Sequence, residues 1–110
     1  MTEAECIAIA TRGTEWVMKY ADQLLPGTDF GYQYSPEIFT QTPTDFALEV
    51  CERVSDVWQP EEGGREIILN LPATVEMSTP NTYADQIEYF SRHLTRRAHS
   101  AISLHPHNDR

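Results

Sequence analysis

The stretch Ile67-Ile68-Leu69-Asn70-Leu71 decides the fold that this sequence predicts. It is short and almost continuously apolar, and it lies between the polar stretch 59–65 and Pro72. A strand with one face in solvent alternates polar and apolar residues, whereas a strand covered on both faces does not. Covered strands of this kind are typical of parallel sheets, in which helices connect the strands. We therefore predict that residues 66–71 form a strand of a parallel sheet.

Helical and strand patterns alternate on both sides of this stretch. Apolar residues recur with the period of an amphipathic helix in three segments of the chain. We predict helices from about residue 2 to 25, from 42 to 58 and from 79 to 94, and strands at 29–35, 66–71 and 101–105. The stripe expected to face the core in the first helix consists of Cys6, Ile9, Gly13, Val17, Tyr20 and Leu24.

A helix followed by a strand, repeated along the chain, predicts an α/β fold. Strands joined by helices run parallel with right-handed crossovers, so their carboxyl ends open on one edge of the sheet. The Thr-Pro helix starts at Pro43 and Pro80 recur at about the spacing of the strands, which agrees with a section of a (β/α)8 barrel. A doubly wound sheet usually has a glycine-rich first turn, and this sequence has none. The prediction is a partial (β/α)8 TIM barrel of about three helix-strand units.

Polar residues that could carry chemistry follow each predicted strand. Ser35 and Glu37 follow the first strand, Thr74 follows the second, and His105 and His107 end the third. Side chains alternate along a strand, so the two histidines point to one side, where two imidazoles and a carboxylate could bind a metal ion. Spacing alone leaves a pair of solvated histidines open as the alternative. Taken alone, the serine, the glutamate and the threonine are also ordinary loop residues.

Charge and cysteine content exclude several classes of partner. The formal net charge of −9 argues against nucleic acid, and the basic cluster Arg92, Arg96 and Arg97 is explained by its place late in a helical pattern. Cys6 and Cys51 are far apart in apolar helical settings, which predicts buried thiols rather than a disulfide. No apolar run approaches a membrane span and no signal peptide is recognisable, so we expect a cytoplasmic protein without a membrane partner.

Four motifs resemble consecutive motifs of the 2-isopropylmalate synthase family. They are YQYSPE at 32–37, LNLPATVE at 69–76, TYADQIE at 82–88 and LHPHNDR at 104–110. The resemblance covers almost the whole chain in order and in register, and it points to the longer bacterial and fungal form of the family. That family lies within a larger group of metal-dependent barrel enzymes that make or break carbon-carbon bonds next to a carbonyl.

The resemblance implies a reaction and a role for each candidate residue. The reaction is a Claisen-type condensation of acetyl-CoA with 2-oxoisovalerate to 2-isopropylmalate, in leucine biosynthesis, by an enzyme expected to be a homodimer when full length. By the resemblance, His105 and His107 bind a divalent metal ion, which is Zn, Mg or Mn. Glu37 corresponds to a catalytic residue of the oxo-acid pocket, Ser35 lines that pocket, and Thr74 bonds the carboxylate of the oxo acid.

The chain departs from the family pattern in ways that predict a fragment. The third metal ligand of the family is an aspartate in an Arg-Asp pair on the first barrel strand, and Asp109-Arg110 is not that pair. We expect residues 1–110 to be an internal piece of the catalytic barrel domain, of the pyruvate carboxyltransferase-like kind, and to be inactive alone. The alternatives are a related homocitrate or citramalate synthase, and a non-catalytic truncated remnant or split-barrel subunit.

Overall fold

The computed structural model describes residues 2–36, 42–63, 65–73 and 79–106. The longer helices alternate with strands along this part of the chain, as the sequence predicts, and two one-turn helices that were not predicted precede the second and third strands. The elements are α1 (Glu3–Leu24), β1 (Tyr32–Tyr34), α2 (Thr44–Trp58), the one-turn helix α3 (Pro60–Gly63), β2 (Ile67–Pro72), α4 (Pro80–His93), a 3₁₀ turn (Arg97–His99) and β3 (Ser100–His105).

The three strands form one parallel sheet in the order β1-β2-β3. In β1 and β2, Tyr32 is paired with Ile67, and Ile67 is paired in turn with Ser100 of β3. Each strand follows a helix, so the predicted helix-strand units and their parallel direction are confirmed. The fold is the α/β section of a (β/α)8 barrel that the sequence predicts.

The core lies between one face of the sheet and the helices. Ile67, Leu69 and Leu71, which alternate along β2, are each 0% exposed. They pack with buried residues of α2, α4 and the residue after α4, namely Ala47, Val50, Cys51, Val54, Trp58, Phe90 and Leu94. Because side chains alternate along a strand, Ile68 and Asn70 point to the opposite face of the sheet.

The prediction of which residues of α1 face the core is wrong. Ile9, Tyr20 and Leu24 are 56%, 52% and 73% exposed. The residues of α1 that point inward are Ile7, Ala10, Thr14, Met18 and Ala21. Both rows have helical spacing, and the inward row contains a threonine that a hydropathy pattern counts against burial. Its hydroxyl donates to the Ala10 carbonyl at 2.9 Å and lies 3.2 Å from the Tyr32 hydroxyl, which satisfies it in the core.

The first strand is shorter than predicted, because it begins at Tyr32 rather than at residue 29. Immediately before it, the chain passes very close to the residue that precedes β2. A Cβ atom on Gly31 would lie 3.0 Å from the Glu66 carbonyl oxygen. The Tyr32 amide donates to the same oxygen at 2.9 Å. A side chain at this position would therefore crowd the backbone where the first strand enters the sheet, which favours glycine.

The basic cluster has a different role from the one expected. Arg92 lies in the last turn of α4, where it pairs with Glu88 at 2.7 Å. Arg96 lies beyond α4 and forms ion pairs with Asp56 of α2 and, at 2.8 Å, with Glu61 of α3. Helix-end electrostatics therefore explain Arg92, whereas Arg96 links α2 and α3 to the segment that enters β3. Arg97, in the 3₁₀ turn, donates to the Ser100 carbonyl at 2.7 Å.

Two further expectations concern the burial of the cysteines and membrane-spanning helices. Cys51 is buried, as predicted, but Cys6 is only half-buried, and both are free thiols. Within the described ranges, no helix has the length and apolar character needed to cross a membrane.

Candidate active site

The carboxyl ends of the three strands meet at one edge of the sheet. β1 is followed at once by Ser35, β2 ends at Pro72, and β3 ends at His105. Pro72 is paired with His105, and the Ala73 amide donates to the His105 carbonyl at 2.9 Å. The backbone therefore holds the end of β3 against the end of β2, and His105 lies at the edge where parallel α/β folds place their chemistry.

A row of polar side chains crosses the sheet just below this edge. Asn70 of β2 is paired with Ser103 of β3, and its Nδ2 atom donates to the Ser35 Oγ atom at 3.2 Å. His105 is two residues beyond Ser103, so its imidazole lies on the same face of the sheet. The structure thus brings Ser35 and His105 to one edge and to the face opposite the helix-packed core.

Three of the predicted site residues cannot be placed in this arrangement. Glu37, Thr74 and His107 lie outside the described residues. Their assignment as catalytic, substrate-binding and metal-binding residues stays a prediction, as does the binding role of Ser35 and the metal-binding role of His105.

Asn70 lies beside this edge and is not among the candidate residues predicted from the sequence. It is 8% exposed, and it is the one polar residue in the apolar stretch 67–71. Burial of an amide is costly unless the amide is hydrogen-bonded, so a lone asparagine in such a strand signals a specific partner. That signal was present in the sequence, but the identity of the partner, Ser35, depends on strand pairing.

Aromatic side chains on the helix-packed face contact the sheet at both ends of its strands. The Tyr83 hydroxyl of α4 donates to the Leu71 carbonyl, next to the end of β2. The ring of Tyr32 stacks on Trp58 with ring centres 4.9 Å apart.

Burial raises the pKa of the Cys51 thiol and also that of the Tyr34 hydroxyl. Both groups therefore stay protonated near neutral pH, and Cys51 has no nucleophilic character.

The described residues supply one member of the predicted metal site. His105 is an exposed imidazole at the carboxyl edge, which suits it chemically as a ligand of a divalent ion. Among residues 2–36, 42–63, 65–73 and 79–106, no group of three or more His, Cys, Asp or Glu side chains could hold a metal. A complete ligand set would need residues beyond these ranges.

Comparison with known proteins identifies the class to which this fold and edge belong. The HMGL-like family model matches residues 1–110, and the chain belongs to the HMGL-like family. Several curated relatives are 2-isopropylmalate synthases, which confirms the resemblance seen in the four motifs.

Three of these relatives show how much of an enzyme the chain represents. The chain is 59% identical over 110 residues to the 2-isopropylmalate synthase of Streptosporangium roseum, with 100% of the chain and 19% of the relative covered. Identity to the Thermobifida fusca enzyme is 63% over 107 residues, with 96% of the chain and 19% of the relative covered. For the Schizosaccharomyces pombe enzyme it is 50% over 111 residues, with 99% of the chain and 19% of the relative covered. The chain thus spans about a fifth of the length of these relatives.

Proposed function

We propose that this chain is part of the catalytic barrel of a 2-isopropylmalate synthase, which condenses acetyl-CoA with 2-oxoisovalerate in leucine biosynthesis. The observation that carries the proposal is the gathering of Ser35 and His105 at one sheet edge in a chain 50–63% identical to enzymes of that name. A carboxyl edge lined by a hydroxyl and an imidazole suits a small, polar, metal-binding substrate.

Each candidate residue has a stated task in this proposal. His105 and His107 hold a divalent ion, and a bound ion supplies Lewis-acid polarisation of the acceptor carbonyl. Ser35 and Thr74 bind the oxygens of the oxo acid. Glu37 lines the same pocket as a catalytic carboxylate. The whole enzyme is proposed to be a cytoplasmic homodimer, and residues 1–110 are proposed to be one piece of its catalytic domain.

The test is to graft this sequence into a complete enzyme. The 110 residues replace the matching segment of the Streptosporangium roseum enzyme, and release of free thiol from acetyl-CoA is followed with 2-oxoisovalerate. We expect turnover in the graft, and a loss of about 10²-fold or more in His105→Ala with weaker metal binding by calorimetry. Gln23→Ala, which removes an exposed amide from α1, is the matched control and should keep full activity.

Other results would point to the alternatives. A graft that prefers 2-oxoglutarate or pyruvate would favour a homocitrate or citramalate synthase. An inactive graft would favour a non-catalytic remnant. The isolated chain should show no turnover, because it would lack most of the preorganised groups on which such a condensation depends. Turnover by the isolated chain that depends on 2-oxoisovalerate would contradict the proposal that it is only part of the site.

A further inference from the structure

We propose that Asn70 is a positioning residue that fixes the hydroxyl of Ser35 as a hydrogen-bond donor toward an oxygen of a 2-oxo acid. The inference rests on the proposed function, because it requires a substrate bound beside Ser35 at the carboxyl edge. It adds a residue of β2, and a direction for one hydrogen bond, to the site.

The contact that carries the inference joins two neighbouring strands. The Nδ2 atom of Asn70 lies 3.2 Å from the Oγ atom of Ser35, which follows the last residue of β1. Asn70 is 8% exposed and sits in the central strand of the sheet, so its side chain has little freedom to move. Ser35 is half-buried and lies nearer the edge where a ligand would enter. The asparagine is therefore the fixed partner of the pair and the serine is the one it orients.

The polarity of this hydrogen bond determines what the serine can offer a ligand. A serine hydroxyl has one hydrogen and two acceptor lone pairs, and the hydrogen turns freely about the Cβ–Oγ bond. Asn70 donates to Oγ, so one lone pair is occupied and the hydroxyl hydrogen must point away from the amide. A 2-oxo acid presents carboxylate and keto oxygens, which are acceptors only. A serine held as a donor matches that chemistry.

A purely structural role for the same contact makes a different prediction. Backbone pairing already joins the two strands through Tyr32–Ile67, Gln33–Ile68 and Tyr34–Leu69. If the side-chain bond served only to tie the strands, its loss would lower stability and leave ligand affinity unchanged. If it orients Ser35, its loss weakens oxo-acid binding, and it does so only while Ser35 has a hydroxyl to orient.

A double-mutant cycle in the grafted enzyme separates these roles. We expect Asn70→Ala to raise both KM and the calorimetric Kd for 2-oxoisovalerate by about 3- to 10-fold, the usual effect of one neutral hydrogen bond. Ser35→Ala should do the same. In the Ser35→Ala background, Asn70→Ala should add less than about twofold, because the group through which it acts is gone. Gln23→Ala is the amide-removal control and should change neither constant.

A second variant reverses the hydrogen bond without changing its shape. The carboxylate of Asn70→Asp can only accept, so it would draw the Ser35 hydrogen toward itself and turn the lone pairs toward the ligand. We expect a larger loss of affinity than in Asn70→Ala. Because the new charge also repels an anion, the same comparison is made with Ser35→Ala present, where only the charge effect is left. If Asn70→Ala does not fold, Asn70→Asp with and without Ser35→Ala still tests the inference.

The results that would overturn this inference differ from those that would overturn the proposed function. An inactive graft carrying the unmodified sequence would overturn the proposed function, and this inference with it. An active graft in which Asn70→Ala leaves Kd unchanged would overturn the inference alone. So would losses that multiply in the double variant, because Asn70 would then act independently of Ser35.

Discussion

Arg96 shows how a single side chain, far from the carboxyl edge of the sheet, links the elements around the opposite end of the sheet. Its guanidinium donates to Glu61 at 2.8 Å and to Asp56, and so links α3 and α2 to the segment that leads into β3. The hydrogen bond from Arg96 is the largest reason that the pKa of the Glu61 carboxyl is lower than its ordinary value of 4.5. The carboxylate form of Glu61 is therefore favoured in the folded chain.

The pH dependence of stability follows from this lowered pKa. The contribution of Glu61 is fully present above the unfolded carboxyl pKa and is lost as the pH falls through the lower folded pKa. We expect Glu61→Gln to flatten the decline in unfolding free energy between about pH 6 and pH 3, measured by urea denaturation at each pH. Arg96→Gln should flatten it similarly, since it removes the donor. A decline as steep as in the unmodified chain would show that the pair does not contribute.

β2 is the element on which both the core and the candidate site depend. Alternate residues of this strand divide between two tasks. Leu69 and its neighbours on that face fill the helix-packed core, while Asn70, on the other face, bonds Ser35. A shift of one residue in the pairing of β2 would exchange the two faces and bury the asparagine among the helices. The core-facing apolar side chains of β2 therefore also specify the register that places Asn70 beside Ser35.

Removing a side chain from the core face of β2 should be far more damaging than removing one from β3. Leu69 is 0% exposed, whereas Leu104 is 51% exposed. We expect Leu69→Ala to cost about 2–5 kcal/mol of unfolding free energy, and Leu104→Ala to cost only about 0.5 kcal/mol. Urea denaturation of the two variants measures the difference. Equal losses would mean that Leu104, which lies on the same face as Leu69, is packed as tightly as Leu69 rather than exposed.

At the scale of the whole molecule, much apolar surface lies in solvent. Tyr20 and Leu24 belong to the outward row of α1. Together with Gly13, Trp16 and Val17, they border an apolar groove. In the described part of the chain, β1 and β3 each pair with β2 on one side only. Exposed apolar rows and open strand edges both promote association between chains. The isolated chain is therefore expected to self-associate, with low stability.

Charge substitutions on the two faces of α1 test this expectation. Leu24→Lys places a charge on the outward row and should reduce self-association while leaving the helix and its packing intact. Met18→Lys places the same charge on the half-buried row that packs against the core and should destabilise or unfold the chain, because it brings an unpaired ammonium next to apolar side chains. Light scattering over a range of concentrations, with circular dichroism, distinguishes the two. If Leu24→Lys were the variant that unfolds, the orientation of α1 would be reversed.

The sequence by itself determined the class of fold. The apolar stretch 67–71 and the alternation of helical and strand periods depend on neighbours along the chain, and local periodicity is enough to predict parallel strands that open on one edge. The residues that end those strands, Ser35 and His105 among them, could therefore be recognised as candidates before their positions were known. The resemblance of the motifs to a known family supplied their proposed roles.

Only the tertiary structure decided which of several equally patterned residues meet. α1 has two rows with helical spacing. The row that contains Thr14 faces inward, where α1 packs against α2 and the Tyr32 hydroxyl of β1 lies 3.2 Å from the Thr14 hydroxyl. The bond from Asn70 to Ser35 and the bridge from Arg96 to Glu61 each join residues 35 positions apart. Such contacts depend on strand order and helix packing, which bring together groups that no local pattern relates.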